Sequence, residues 1–287
     1  MVTERISPTL RRRRLASRLR QLREQADMTV AEAAKAIEWT PSKITWIETN
    51  RGKRPNPRDV RDLCDAYEVT NERERAYLEQ LARDGRLKGW WDPYGDVLPH
   101  PYENYVGLEA EAATVLNFEL GMIPGLLQTE DYARAMIQAG PAELAADKVD
   151  KRVEVRIKRQ AALRQDPGLR LVAVIDEAAL HRQVGSTTVM RAQLQHLVDI
   201  AEELSRVTIQ VVPFIRGAHS SMTNGFVILQ FPESEDPDVV YVENAAGGLW
   251  LEDVQEITGH HVAFQHLLGN ADSAPDTIAM IAKMARS

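Results

Sequence analysis

The chain offers few groups that could carry covalent chemistry. Asp176 and Glu177 follow the apolar run 171–175, and Glu243 follows another at 239–242. Acids at the carboxyl end of a strand lie where α/β proteins place ligands, so the three are candidates for one site. They can equally cap the following helices or lie in solvent. His260, His261 and His266 lack the i,i+4 spacing of a helical zinc pair, and no accompanying ligand set is evident. His219, Ser220 and Ser221 are adjacent but without the context of a nucleophile elbow. The single cysteine, Cys64, excludes internal disulfides and a cysteine-rich zinc site. The expectation is no catalytic residue, no metal and no cofactor.

Charge is distributed more informatively than its total of −7 indicates. Residues 1–88 hold 20 lysines and arginines against 14 acids, whereas 89–287 hold 15 against 28. A basic segment joined to an acidic body points to a polyanionic partner for the former. A solvated basic helix face would look the same. No run approaches the ~18 apolar residues of a membrane span, and the start, MVTERISPTLRRRR, lacks the apolar core of a secretory leader. A cytoplasmic protein without membrane contact is expected.

The elements that would position these groups fall into two sets. Residues 1–86 read as five helices. Leu15, Leu19, Leu22 and Ala26 keep helical spacing. Thr29 caps a second helix at 30–37, with Glu32 completing a capping box. Thr40 followed by Pro41 opens a third that runs to about Thr49. A fourth follows Pro57 with Val60, Leu63, Cys64 and Tyr67, and Asn71 opens a fifth with Ala76, Tyr77 and Leu81 inward. Residues 87–107, with Trp90, Trp91, Tyr94, Tyr102 and Tyr105, read as an ordered aromatic and proline-rich connector, since such rings want burial. From 108 onward the pattern is α/β. Helices are expected at 108–118, 129–139, 142–164, 189–204, 253–268 and 276–285. Strands are expected at 171–175, 207–212, 226–231, 239–242 and 249–251. The strand–helix–strand order at 171–212 implies a parallel pair. The fold class expected is an all-α helix-turn-helix domain followed by a larger α/β domain with a mixed sheet.

The stretch LASRLRQLREQADMTVAEAAKAIEWTPSKITWIETNRGKR, within residues 15–61, resembles the XRE family of phage-repressor-like helix-turn-helix regulators. Ala34 sits where that family keeps a small residue in the second helix. Ile44 and Ile47 face the core, and Glu48 with Gly52 matches the family's ending. The resemblance implies a third helix that enters the DNA major groove with its N-terminal residues nearest the bases. Thr40, Ser42, Lys43, Thr45 and Trp46 are then the base-reading candidates, with Lys43 able to donate to guanine. Arg51, Lys53 and Arg54 would grip phosphates, as would Thr29 at the second helix's start and Arg11 to Arg14 in an arm or helix start. Three positions depart from the family habit. Trp46 replaces a basic residue, Val30 a glutamine, and Glu38 the usual turn glycine.

The second domain also resembles a known group, the WhiJ-like, Scr-type antitoxin-like regulators of actinobacteria. The matching residues are Ile123-Pro124-Gly125-Leu126-Leu127-Gln128-Thr129, Tyr132 to Ala135, Arg156, Arg159-Gln160, Asp176 to Leu180, Gln193-Leu194, Val212-Pro213-Phe214, Gly225-Phe226 and Val242-Glu243. The resemblance implies a regulator encoded beside a small acidic partner protein. Trp90, Trp91, Leu126, Leu127, Gln128 and Tyr132 are candidates for a ligand or partner surface, or for ordinary core.

The reading is a dimeric, sequence-specific DNA-binding transcriptional regulator, tuned through its C-terminal domain by a small protein or ligand. Two others stand beside it. One is an antitoxin whose main act is to sequester a small partner. The other is an enzyme with a DNA-targeting module, using Asp176, Glu177 and Glu243.

Overall fold

The computed structural model describes residues 7–50, 54–140, 144–233, 236–244 and 247–286. The chain divides into two compact units, Met1–Asp92 and Pro93–Ser287, the break falling inside the aromatic stretch at 87–107.

The first unit holds α1 (Pro8–Gln25), α2 (Val30–Ala36), α3 (Pro41–Glu48), α4 (Pro57–Ala66) and α5 (Glu72–Asp84). Each starts on a side chain that accepts a backbone N–H: Ser7, Thr29, Thr40, Asn56 and Asn71 in turn. Such caps satisfy orphan amides at about 1 kcal/mol each. Leu15, Leu19, Leu22, Ala33, Ala34, Ile44, Ile47, Leu63 and Leu78 form one buried core. Ala33 and Ala34 have no side-chain bulk beyond Cβ, which lets α2 approach α3 closely. The inward face of α5 differs from expectation. Leu78, Leu81 and Ala82 are buried, while Ala76 and Tyr77 are exposed, Tyr77 accepting a hydrogen bond from Arg14.

The second unit is built on a six-stranded sheet among the described residues. Its strands are β1 (Thr114–Glu119), β2 (Arg170–Asp176), β3 (Val207–Val212), β4 (Phe226–Gln230), β5 (Val239–Val242) and β6 (Leu249–Leu251), ordered β3-β2-β1-β4-β5-β6. β1, β2 and β3 are parallel, and β4 to β6 continue antiparallel. The expected parallel pair at 171–212 is therefore present. Helices are α6 (His100–Glu109), α7 (Glu130–Gln138), α8 (Ala146–Gln160), α9 (Glu177–His181), α10 (Thr187–Glu203), α11 (Val254–Asn270) and α12 (Ala274–Arg286).

One expected helix is a strand. Residues 108–118 read as helical, yet α6 ends at Glu109 and β1 occupies Thr114–Glu119 in the middle of the sheet. A strand covered on both faces has no polar alternation, so a short apolar run does not separate from a buried helix by period alone. Phe118, Val172, Val174, Phe226 and Ile228 face α11, packing on Ile257, Phe264 and Leu267. The outer edge of β3 is tied down rather than left open. Val211 donates its N–H to Thr277 Oγ1 and accepts from Asp272 N–H.

Candidate nucleic-acid interface

The α2–turn–α3 segment is held to its unit by a buried ion pair. Arg23 lies one position beyond Leu22 on α1, and its guanidinium grips Glu48 of α3 through Nε and Nη2, all three contacts at 3.0 Å. Arg23 Nη1 donates to the Met28 carbonyl at 2.7 Å, and the Tyr67 hydroxyl donates to Glu48 Oε1 at 2.8 Å. The two charged side chains are only 10% and 3% exposed. Glu48 holds Arg23 still more firmly protonated than usual, and burial beside Glu48 pushes the Tyr67 phenol well up. Thus Glu48, at the last turn of α3, anchors the inward face of that helix to α1 and to the end of α4.

The opposite face of α3 is open. Ile44 and Ile47 point inward, while Pro41, Ser42, Thr45, Trp46 and Thr49 are exposed. Thr40 accepts the Lys43 amide, and Thr49 Oγ1 donates to the Thr45 carbonyl at 2.6 Å. Lys43 does not stand free on this face. Its ammonium lies 2.8 Å from Asp59 Oδ1 and 3.2 Å from the centre of the Trp39 ring, so it is drawn to the flank beside α4. The turn before α3 passes through Glu38 in a left-handed conformation, φ 55°, where a glycine would be unstrained.

The phosphate candidates are placed unevenly. Thr29 accepts the Glu32 amide, and Glu32 Oε2 accepts both the Thr29 amide at 2.9 Å and its hydroxyl at 2.7 Å. The N-terminus of α2 therefore already carries a carboxylate, held below its usual pKa by those bonds from Thr29. Arg11 to Arg14 lie in the first turns of α1 and are half-buried, Arg14 donating to Tyr77. Arg54 is half-buried, and its carbonyl accepts from Arg86. Arg51 and Lys53 lie outside the described residues.

The candidate ligand residues belong to different units. Trp90 is exposed and Trp91 buried in the first, their rings edge-to-face. Leu126, Leu127, Gln128 and Tyr132 are interior to the second. There the 123–129 segment is a backbone turn satisfied by glutamines. Gln128 Nε2 donates to the Ile123 carbonyl, Gln160 to the Gly125 and Gln128 carbonyls, and Gln193 to the Leu127 carbonyl while accepting from Thr129 N–H. Arg156 donates to Gln128 Oε1, and Tyr132 accepts from Ile123 N–H. Nearby, Arg159 makes a buried two-armed pair with Glu109 and contacts the Tyr102 hydroxyl.

Asp176 and Glu177 are also engaged locally. Asp176 caps α9 through Ala178 N–H and pairs with His219 at 3.2 Å; Glu177 accepts from Phe214 N–H at 2.7 Å and meets His181. Ser221 N–H lies 3.3 Å from His219 Nδ1, and the other ring nitrogen, Nε2, is the one that faces Asp176. Glu243, just past β5, raises the pKa of Glu119 at the end of β1. Glu119 itself is pushed up to about 7, chiefly by burial, with Asn117 and Arg156 opposing. Among the described residues no cluster of three or more metal-binding side chains forms, and no helix is long and apolar enough to cross a membrane.

Sequence reasoning did not assign the Arg23–Glu48–Tyr67 network. Its signal was a charged residue, Arg23, beside Leu22 on the otherwise apolar face of α1. The sequence offers Gln128 as a ligand or partner candidate and Gln160 and Gln193 only through the family pattern; in the structure all three satisfy the backbone of the 123–129 turn.

The first unit defines a helix-turn-helix protein: five capped helices on one core, the third presenting an open face. A model described as "Helix-turn-helix domain" matches residues 14–78, in keeping with an XRE-like regulator. Residues 102–283 match "Domain of unknown function (DUF5753)", and the chain belongs to that family. No curated protein and no solved structure matches the chain.

Proposed function

We propose that this is a sequence-specific transcriptional regulator of the phage-repressor-like kind, binding double-stranded DNA in the cytoplasm as a homodimer. The two copies of α3 would occupy half-sites about one helical turn apart. The observation that carries the reading is the two-sidedness of α3. Its inward face is pinned by Glu48 to Arg23 and Tyr67, and its outward face of Ser42, Thr45 and Trp46 is left uncovered within a basic segment. A rigid, solvent-facing helix is what groove reading requires. The second unit, on this reading, acts without catalysis. Its resemblance to the antitoxin-like regulators supports a small acidic protein partner, encoded nearby, or a small ligand as the signal that tunes DNA affinity.

The experiment is capture of genomic fragments by the full chain at near-physiological salt, followed by sequencing. Enrichment of one palindromic or near-palindromic sequence supports the proposal. A folded protein that enriches nothing, alone or with its neighbouring gene product, refutes it.

A further inference from the structure

The stripe of Ser42, Thr45, Trp46 and Thr49 on the outward face of α3 carries no charge, and the Lys43 ammonium at its flank is paired with Asp59. From Pro41 to Thr49 its exposed side chains are proline, hydroxyls and a single indole, with Lys43 drawn aside by Asp59 and Trp39. Trp46 is 55% exposed, the largest apolar side chain on that face. A lone exposed apolar side chain is ordinary on a protein surface; what singles out this indole is its place on the uncovered face of the helix that would enter the groove. In the major groove the apolar feature that distinguishes one base pair from another is the thymine C5 methyl. We propose that Trp46 is the specificity-determining residue, reading thymine methyl groups in each half-site, and that Lys43 contributes no base contact. The inference rests on the DNA-binding reading above and names what that site selects.

Geometry within α3 favours Trp46 for this task. Ser42, Thr45, Trp46 and Thr49 recur at three- and four-residue intervals and so share one stripe. The Thr49 hydroxyl donates to the backbone carbonyl of Thr45, which commits its hydrogen within the helix and leaves the Thr45 hydroxyl outside that bond. A hydroxyl at Thr45, like that of Ser42, can serve several bases. Pro41 has no N–H to offer a base or phosphate. Ser42 can serve several bases and so discriminates weakly. The indole, by contrast, offers a broad apolar surface plus one N–H donor, Nε1, which suits the methyl and the adjacent O4 of one thymine.

The test uses the full chain and the sequence it selects from genomic DNA. Each thymine of the half-site is replaced in turn by deoxyuridine, which removes only the methyl. Trp46→Ala should weaken binding to the selected sequence by about 5- to 150-fold, the range of a good base contact, and leave binding to unrelated DNA unchanged. One deoxyuridine position should weaken the wild-type protein about fourfold, the worth of one buried methyl group, and have no effect on Trp46→Ala. Because the deoxyuridine arm uses unaltered protein, it holds even if the variant folds poorly. A half-site without thymine, insensitivity to every deoxyuridine, or Lys43→Ala losing as much base-dependent affinity as Trp46→Ala would overturn the assignment while DNA binding stands. A change of oligomeric state on Trp46→Ala with DNA affinity intact would also overturn it, making Trp46 a subunit contact. If the wild-type chain selects no DNA, both readings fall together.

Discussion

Glu48 gives the sharpest test of how α3 is held. Replacing it with alanine leaves the Arg23 guanidinium nine-tenths buried with the Met28 carbonyl and, at 3.7 Å, the exposed Glu24 carboxylate as remaining partners, and removes the acceptor of the Tyr67 hydroxyl. Breaking a buried pair from one side costs about 3–5 kcal/mol. Native domains of this size hold roughly 0.05–0.15 kcal/mol per residue, so the loss is a large fraction of what keeps the first unit folded. Removing both charges, as in Arg23→Met with Glu48→Leu, should cost less than either single change, because no buried charge is left alone. Hydrogen exchange followed by mass spectrometry on the full chain reads the effect locally. Peptides from α1, α3 and α4 should lose protection in Glu48→Ala, and those from β1 to β5 should not. Glu48→Gln keeps an oxygen for Arg23 and Tyr67 and should fall between. A change below about 1 kcal/mol in the opening free energy of α3, or a double variant worse than the sum of the singles, refutes the argument.

Three further predictions concern both units. Glu119 has its folded pKa raised to about 7 from 4.5, so between those values the folded state binds more protons than the unfolded one. Stability from this group is therefore present at low pH and lost as pH rises from about 4.5 to 7. Partial access of solvent to this partly buried site limits the loss to roughly 1–3 kcal/mol. Urea unfolding at pH 5 and pH 8 should show that fall, and Glu119→Gln should abolish it. Burial pushes the Cys64 thiol up to about 11, so its modification by a thiol reagent at neutral pH should proceed only through opening of the first unit, and far faster in Glu48→Ala. Labelling at the rate of a free thiol in the native protein would contradict its burial. Gln193→Leu strands the Thr129 N–H and the Leu127 carbonyl and should cost about 1–3 kcal/mol for each group left unsatisfied. Loss of thermal stability in the second unit, without direct loss at α3, is the expected measurement.

How far the sequence reaches depends on whether a feature is local. The caps at Thr29, Thr40, Asn56 and Asn71 act within three residues of themselves, and the helices they start were legible from composition and period. The Glu38 departure was legible as a residue type, but the left-handed backbone it adopts follows from how α2 and α3 pack. β1 was misread because its apolar residues are explained only by neighbours 50 and more residues away, β2 on one side and β4 on the other. Lys43 shows the same limit at a candidate contact. Its place at the start of α3 is local information, but the Asp59 that takes its ammonium lies 16 residues on, in α4.

That contrast bears directly on which residues can recognise DNA. A side chain's type and helical position fix where it starts; long-range partners decide whether it is still available. By that criterion Thr29, whose hydroxyl and amide are both taken by Glu32, and Lys43, taken by Asp59, would have to exchange an internal partner for a phosphate or base. An exposed pair such as Lys43–Asp59 is worth at most about 1 kcal/mol, and exchange subtracts that amount from whatever the new contact supplies. Trp46, 55% exposed, is not held by an internal ion pair of that kind, so its contact with a base bears the cost of ordering the indole but not of breaking a pair. Specificity should therefore concentrate where the fold leaves α3 unpartnered, at the indole rather than at the ammonium.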